Sequence, residues 1–146
     1  MTTLRGEATV TPEIQAFASG FPGALANCGV TLAVLLAGVA VYAVLSPHRE
    51  FQRVRAGEAA SAIVFAGVIL GLTLPLALSL YASTSLIELA LWGLATVTVQ
   101  LLAFRIIDLL LNGLPQRAAE GDIGAAVLLV AARMAVALIL SASVAG

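Results

Sequence analysis

Ala59–Tyr81 reads AASAIVFAGVILGLTLPLALSLY, a run without one charged residue. As a helix it is long enough to cross the ~30 Å hydrocarbon core of a bilayer, which takes about 20 residues. Lipid offers no partner to backbone N–H and C=O groups, so a run of this length and apolarity must satisfy them internally, as a helix does. Three further stretches share its character: Ala24–Leu45, Ile87–Leu111 and Ile123–Val144. The expectation is an all-α integral membrane protein with four transmembrane helices.

Composition agrees. Apolar residues make up 61% of the 146 positions and charged ones 10%, against roughly 25% charged in a soluble domain. The mean hydropathy is +1.08. A net charge of −1 speaks against nucleic acid, which calls for a basic patch. One cysteine, Cys28, and one histidine, His48, are too few for an all-protein structural zinc site, and no cofactor motif is present. Neither an HExxH nor a GxSxG pattern occurs, so no enzyme is expected.

The N-terminal segment 1–23 precedes the first span. Thr11-Pro12-Glu13 reads as a helix start, with a cap, proline in the first turn and an acid against the dipole. A short helix on the outer leaflet, ended by Gly20 and Pro22, is one reading; a frayed polar tail is the other. Val41-Tyr42-Ala43 would pass as a signal-cleavage site, yet Arg5 against Glu7 and Glu13 is the wrong charge for a leader. The arginines then orient the chain. Arg49, Arg53 and Arg55 follow the first span and Arg117 the third, whereas the loop between the second and third carries no charge. The positive-inside rule puts both longer loops in the cytoplasm and both termini outside, which in a bacterial inner membrane would be the periplasm.

The chain also resembles itself at an offset of 64 residues. Gln52-Arg53 falls on Gln116-Arg117 and Gly57-Glu58 on Gly121-Asp122; Ala62, Leu74, Leu76 and Ser79 fall on Ala126, Leu138, Leu140 and Ser143. Each unit holds two spans, so the expectation is two parallel two-helix repeats, 24–82 and 83–146. Gly67 and Gly71 form a GxxxG that lets helices approach closely, and Ala131 and Ala135 stand at the same offset,. Pro75 predicts a kink in the second span alone.

Polar residues enter the membrane on the third span. Glu88, Trp92, Thr96, Gln100, Phe104, Asp108 and Asn112 recur every four residues, one ridge along a helix. Arg133 lies about 15 Å into the fourth span at 1.5 Å per residue. A guanidinium there costs at least ~2.5–3.5 kcal/mol and must find partners. Gln100, the Gly71 carbonyl freed by Pro75, a carboxylate from Glu88 or Asp108, or a second subunit are the candidates. Two readings follow. Glu88, Gln100, Asp108 and Arg133 line a polar path for ions, or they are interhelix glue, with Arg105–Asp108 a surface pair. Glue asks for less, because it needs partners and no continuous wet route.

Ser46-Pro47-His48-Arg49-Glu50, Ala59-Ala60, Gly67, Gly71, Pro75-Leu76, Trp92-Gly93 and Gln100-Leu101 resemble the YjfL-like inner-membrane proteins, the "domain of unknown function 350" family. The resemblance runs from about Gly29 to the C-terminus, and Pro47, His48 and Glu50 carry its most specific piece. It implies two-span units, usually present twice, and bacterial membrane proteins without an established reaction, some encoded beside phage-shock-type membrane-stress proteins, which are then possible partners. Arg133 matches no family feature. The resulting expectation is a non-enzymatic, oligomeric inner-membrane component, structural or partner-binding, that docks a partner at the Pro47–Glu58 loop. A small ion channel or transporter using the third-span ridge is the alternative.

Overall fold

The computed structural model describes residues 11–46 and 49–145. They form α1 (Pro12–Leu45), α2 (Glu50–Arg55), α3 (Ala59–Ala82), α4 (Leu86–Leu110), α5 (Leu114–Ala119) and α6 (Ile123–Ala145). The four long helices are each long and apolar enough to cross a membrane; this is an all-α, multi-pass membrane protein. Pro47 and His48 lie outside the described residues.

The first expectation to fail is the break before the first span. Thr11 does precede the helix, with Pro12 and Glu13 in its first turn, but α1 continues through Gly20 and Pro22 as one helix of 34 residues. A proline ring crowds the carbonyl four residues back. Here that residue is Ala18, followed by Ser19 and Gly20, so the preceding turn is lined by small side chains. Every residue from Thr11 to Ala26 is exposed, so no tertiary contact forces the chain to turn. Pro75 lies inside α3 and is buried, so the helix passes through the residue at which the sequence predicts a kink.

α3 is the hub, packed along α6 and against α4 and α1, with α1 also lying on α4. In lipid such packing rests on van der Waals fit and close approach. Gly67 supplies that approach toward α6: a Cβ there would stand 2.6 Å from Val130 Cγ2 and 3.1 Å from Val130 Cβ. Gly71 supplies it toward α4, where a Cβ would meet Phe104 Cζ at 2.8 Å. The two glycines thus serve two different neighbours. Ala131 and Ala135, which stand at the same offset as the two glycines, are exposed. The face of α6 that turns inward carries Ala126, Leu129, Arg133, Ala137 and Ser141. Their spacing of three and four marks one helical stripe, and Ala131 and Ala135 fall outside it.

The recurring Arg-x-x-x-Gly-acid sequence builds a corner twice. After α2 and α5 the chain passes through Gly57 at φ 87° and Gly121 at φ 98°, a left-handed conformation that glycine alone adopts without penalty. Glu58 N–H donates to the Arg53 carbonyl and Asp122 N–H to the Arg117 carbonyl, while Gly57 and Gly121 donate to Val54 and Ala118. This closes the end of each short helix in a Schellman motif. Arg53–Glu58 at 3.8 Å and Arg117–Asp122 at 2.5 Å bridge the two corners. Asp122 then turns to α6 and accepts from Ala125 N–H at 3.0 Å. That bond, with Arg117 beside it, holds the Asp122 carboxyl below the usual carboxylate range. Glu50 and Leu114 begin the short helices, Arg55 and Ala119 end them, and Ala59 and Ile123 begin the long ones, each pair 64 positions apart.

Candidate functional site

Four polar side chains from four helices meet near the end of the bundle that carries α2 and α5. Arg133 projects from α6, ten residues from its start. Every Cα–Cβ bond of a helix tilts toward the N-terminus, so the Arg133 stem leans back toward that end, where α1 and α4 have their C-termini. Tyr42 lies in the last turn of α1 and Asp108 in the last turn of α4. Arg133 donates from Nη2 to Asp108 Oδ1 at 2.6 Å and from Nη1 to the Tyr42 hydroxyl at 3.0 Å. Tyr42 in turn donates to Glu50 Oε2 at 2.6 Å. The network runs from guanidinium to phenol to carboxylate, and it ties α2 to the membrane bundle.

Packing completes the arrangement. The Arg133 guanidinium carbon sits 5.5 Å from the centroid of the Tyr42 ring and 5.2 Å from that of Phe104. The two rings meet edge to face at 6.3 Å. Ring faces attract a desolvated cation by up to about 2 kcal/mol. Arg133 is 1% exposed and Glu50 7%. Glu50 reaches this place because the residue before it, Arg49, turns the chain at φ 49°, ψ 43°, a left-handed conformation that costs an L-residue about 1–2 kcal/mol.

The other expected members of the polar ridge are elsewhere. Glu88 lies at the opposite end of α4, accepting from Thr84 N–H and hydroxyl at 2.8 Å while its own N–H donates to Ser85 Oγ; it closes the start of the helix. Gln100 is fully buried beside Gly71. Neither atom of its amide bonds to protein, nor does Arg133 Nε. Neither Gln100 nor the Gly71 carbonyl is a partner of Arg133. The Arg105–Asp108 surface pair also fails: Arg105 donates to the Leu45 carbonyl and Asp108 belongs to Arg133. Sequence reasoning passed over Tyr42 as a partner altogether. The tilt of helix side chains was the signal that would have found it, since it carries Arg133 toward the ends of α1 and α4.

Two of the clefts formed by the described residues reach the polar groups. One of about 580 Å³ lies between α1 and α4 and opens beside Tyr42, Glu50, Arg105 and Asp108. The other, about 340 Å³, lies at the far end beside Glu88, Trp92 and Thr96. Gln100 lines neither. No group of three or more metal-ligating side chains occurs among the described residues.

With the Glu50 anchor, the close-packed Gly67 and Gly71 and the four spans in place, the family can be assigned. Residues 16–144 match the model of the Domain of Unknown Function, DUF350. The chain belongs to this family. It is similar to the inner membrane protein YjfL of Escherichia coli (strain K12), with 25% identity over 88 residues, covering 60% of this chain and 67% of that one. The same protein from Escherichia coli O157:H7 matches equally. No solved structure matches. In this DUF350 chain, Gly67, Gly71 and Pro75 from the resemblance line the core, and Glu50 meets Tyr42. Trp92 is exposed on the outer face of α4.

Proposed function

We propose that this chain is a non-enzymatic component of the inner membrane that presents the α2 face to a partner, with the Glu50–Tyr42–Arg133–Asp108 network as the clamp that holds this face on the bundle. The observation that carries the reading is the closure of that network inside one chain. An ion path calls for polar groups strung through the membrane along a wet route. Here Arg133 is paired and enclosed, Gln100 lines neither cleft and Glu88 caps a helix at the far end. The exposed side of α2, with Phe51 and Arg55, is the docking face in this reading. Arg133 needs no second subunit for neutralisation, so the case for a homo-oligomer rests on Ala131 and Ala135, a small-residue face open to another helix. The chain is read as two parallel repeats, in keeping with the twin corners.

A proteoliposome ion-flux assay tests this reading. The expected result is no flux above empty liposomes, for the wild type and for Gln100→Leu alike. Flux that Gln100→Leu or Arg133→Leu abolishes would replace the clamp with a conducting path. Orientation has its own test. Arg49, Arg53, Arg55 and Arg117 all lie at the α2/α5 end, which the positive-inside rule places in the cytoplasm. In a Cys28→Ser background, Glu120→Cys is expected to react with a membrane-impermeant thiol reagent only after the inner membrane is opened. Labelling of intact spheroplasts would reverse the topology.

A further inference from the structure

The larger cleft has a shape and a charge pattern that the clamp does not use. Its walls are Val34 and Ala37 on α1 and Val97 and Leu101 on α4. From Val34 to Leu45 it follows α1 for about 16 Å at 1.5 Å per residue, close to half of the ~30 Å hydrocarbon core and so to one leaflet. Several of its lining residues, Ala37 and Thr98 among them, are exposed, so the cleft is open sideways to the bilayer.

Its mouth carries two opposite charges, each held by a neutral group. Glu50 accepts from the Tyr42 phenol, and Arg105 donates to the Leu45 carbonyl. Neither makes an ion pair among the described residues, whereas Asp108, which also lines the cleft, is neutralised by the buried Arg133. A cation and an anion at the open end of an apolar slot one leaflet deep complement a molecule with an apolar tail, a phosphate and an ammonium group. We propose that the α1–α4 cleft binds one aminophospholipid, with an acyl chain between the helices, the phosphate toward Arg105 and the ammonium toward Glu50. Guanidinium matches phosphate geometry, and a carboxylate accepts charge-assisted bonds from a primary ammonium. The proposal holds whether or not the chain conducts ions.

The test is lipid retention by the full chain in detergent, read by native mass spectrometry with phosphatidylethanolamine or phosphatidylglycerol added. The wild type is expected to retain one phosphatidylethanolamine at least about tenfold better than phosphatidylglycerol, the discrimination that about 1.4 kcal/mol supplies. Ala37→Trp, a change at an exposed cleft position, is expected to cut that retention about tenfold with the fold intact. Arg105→Gln lowers retention of both lipids, and Glu50→Gln removes the preference between them. Equal retention of the two lipids by wild type would overturn the proposal, as would full retention by Ala37→Trp. A change in oligomer size in Ala37→Trp with lipid retention unaltered would overturn it too, by giving the cleft to a second copy.

Discussion

Asp108→Ala is expected to destabilise the folded chain by about 3–5 kcal/mol, the cost of removing one partner from a buried ion pair. The remaining Arg133 guanidinium is 1% exposed. Its other hydrogen-bond partner is the neutral Tyr42 hydroxyl, which does not offset the charge. The second half of the prediction is the sharper one. Asp108→Ala and Arg133→Met in the same molecule recover most of the loss, because an apolar replacement of both partners removes the desolvation penalty with the pair. Equilibrium unfolding in mixed micelles compares the wild type with both variants. A single Asp108→Ala chain within about 1 kcal/mol of wild type, less than the loss of any buried charge pair, would mean that Arg133 is neutralised by something other than Asp108.

Gly67→Ala comes second, with an expected loss of about 1–3 kcal/mol from overpacking. The added methyl would stand 3.1 Å from Val130 Cβ as well as closer to both its methyls. A Cβ is fixed to the backbone, so Val130 cannot swing clear and the α3–α6 interface must open. Val130→Ala in the same chain is expected to restore stability, since it removes the two atoms in nearest contact. Ala66→Val, on the exposed side of the same helix, serves as the control and should stay within about 0.5 kcal/mol of wild type. Equal effects at positions 66 and 67 would show that the close approach at Gly67 contributes nothing to the fold.

The four spans were legible because hydropathy over twenty residues reports the one requirement lipid imposes, and little else competes with it. The start of α1 was not. Glycine and proline are strong stop signals in water, and Gly20 and Pro22 were read that way, but α1 runs through both. The corners were half legible. Gly57-Glu58 and Gly121-Asp122 stood out as a repeated pair, and each precedes the start of a long helix. They also end the previous one, with glycine in the left-handed position and the acid turned back to Arg53 or Arg117. The site was legible in its charges and missed in its pairing. Arg133 and Asp108 drew notice as ions at membrane depth. Gln100 stood among several candidate partners, whereas a long side chain tilted toward its helix start reaches the level of Asp108 and Tyr42. Glu50 was noticed only through the family resemblance. Its buried contact with Tyr42 depends on the left-handed turn at Arg49, which no periodicity encodes.

The unbroken α1 has a consequence for how this protein meets bilayers of different thickness. Its 34 residues make a rod of about 51 Å at 1.5 Å per residue. Even at a tilt of 40°, the steep end of what transmembrane helices adopt, such a rod crosses a ~30 Å core in roughly 39 Å. About 12 Å, some eight residues, must then remain beyond the hydrocarbon. The part that packs on α4 and α3 runs from Val34 to Tyr42, so the overhang belongs to the other end, where Phe17 and Phe21 stack at 5.0 Å. Membrane thickening would draw that aromatic pair down toward the acyl chains and thinning would lift it through the headgroups. The bundle anchors the rod, so a change in bilayer thickness is taken up at its free end.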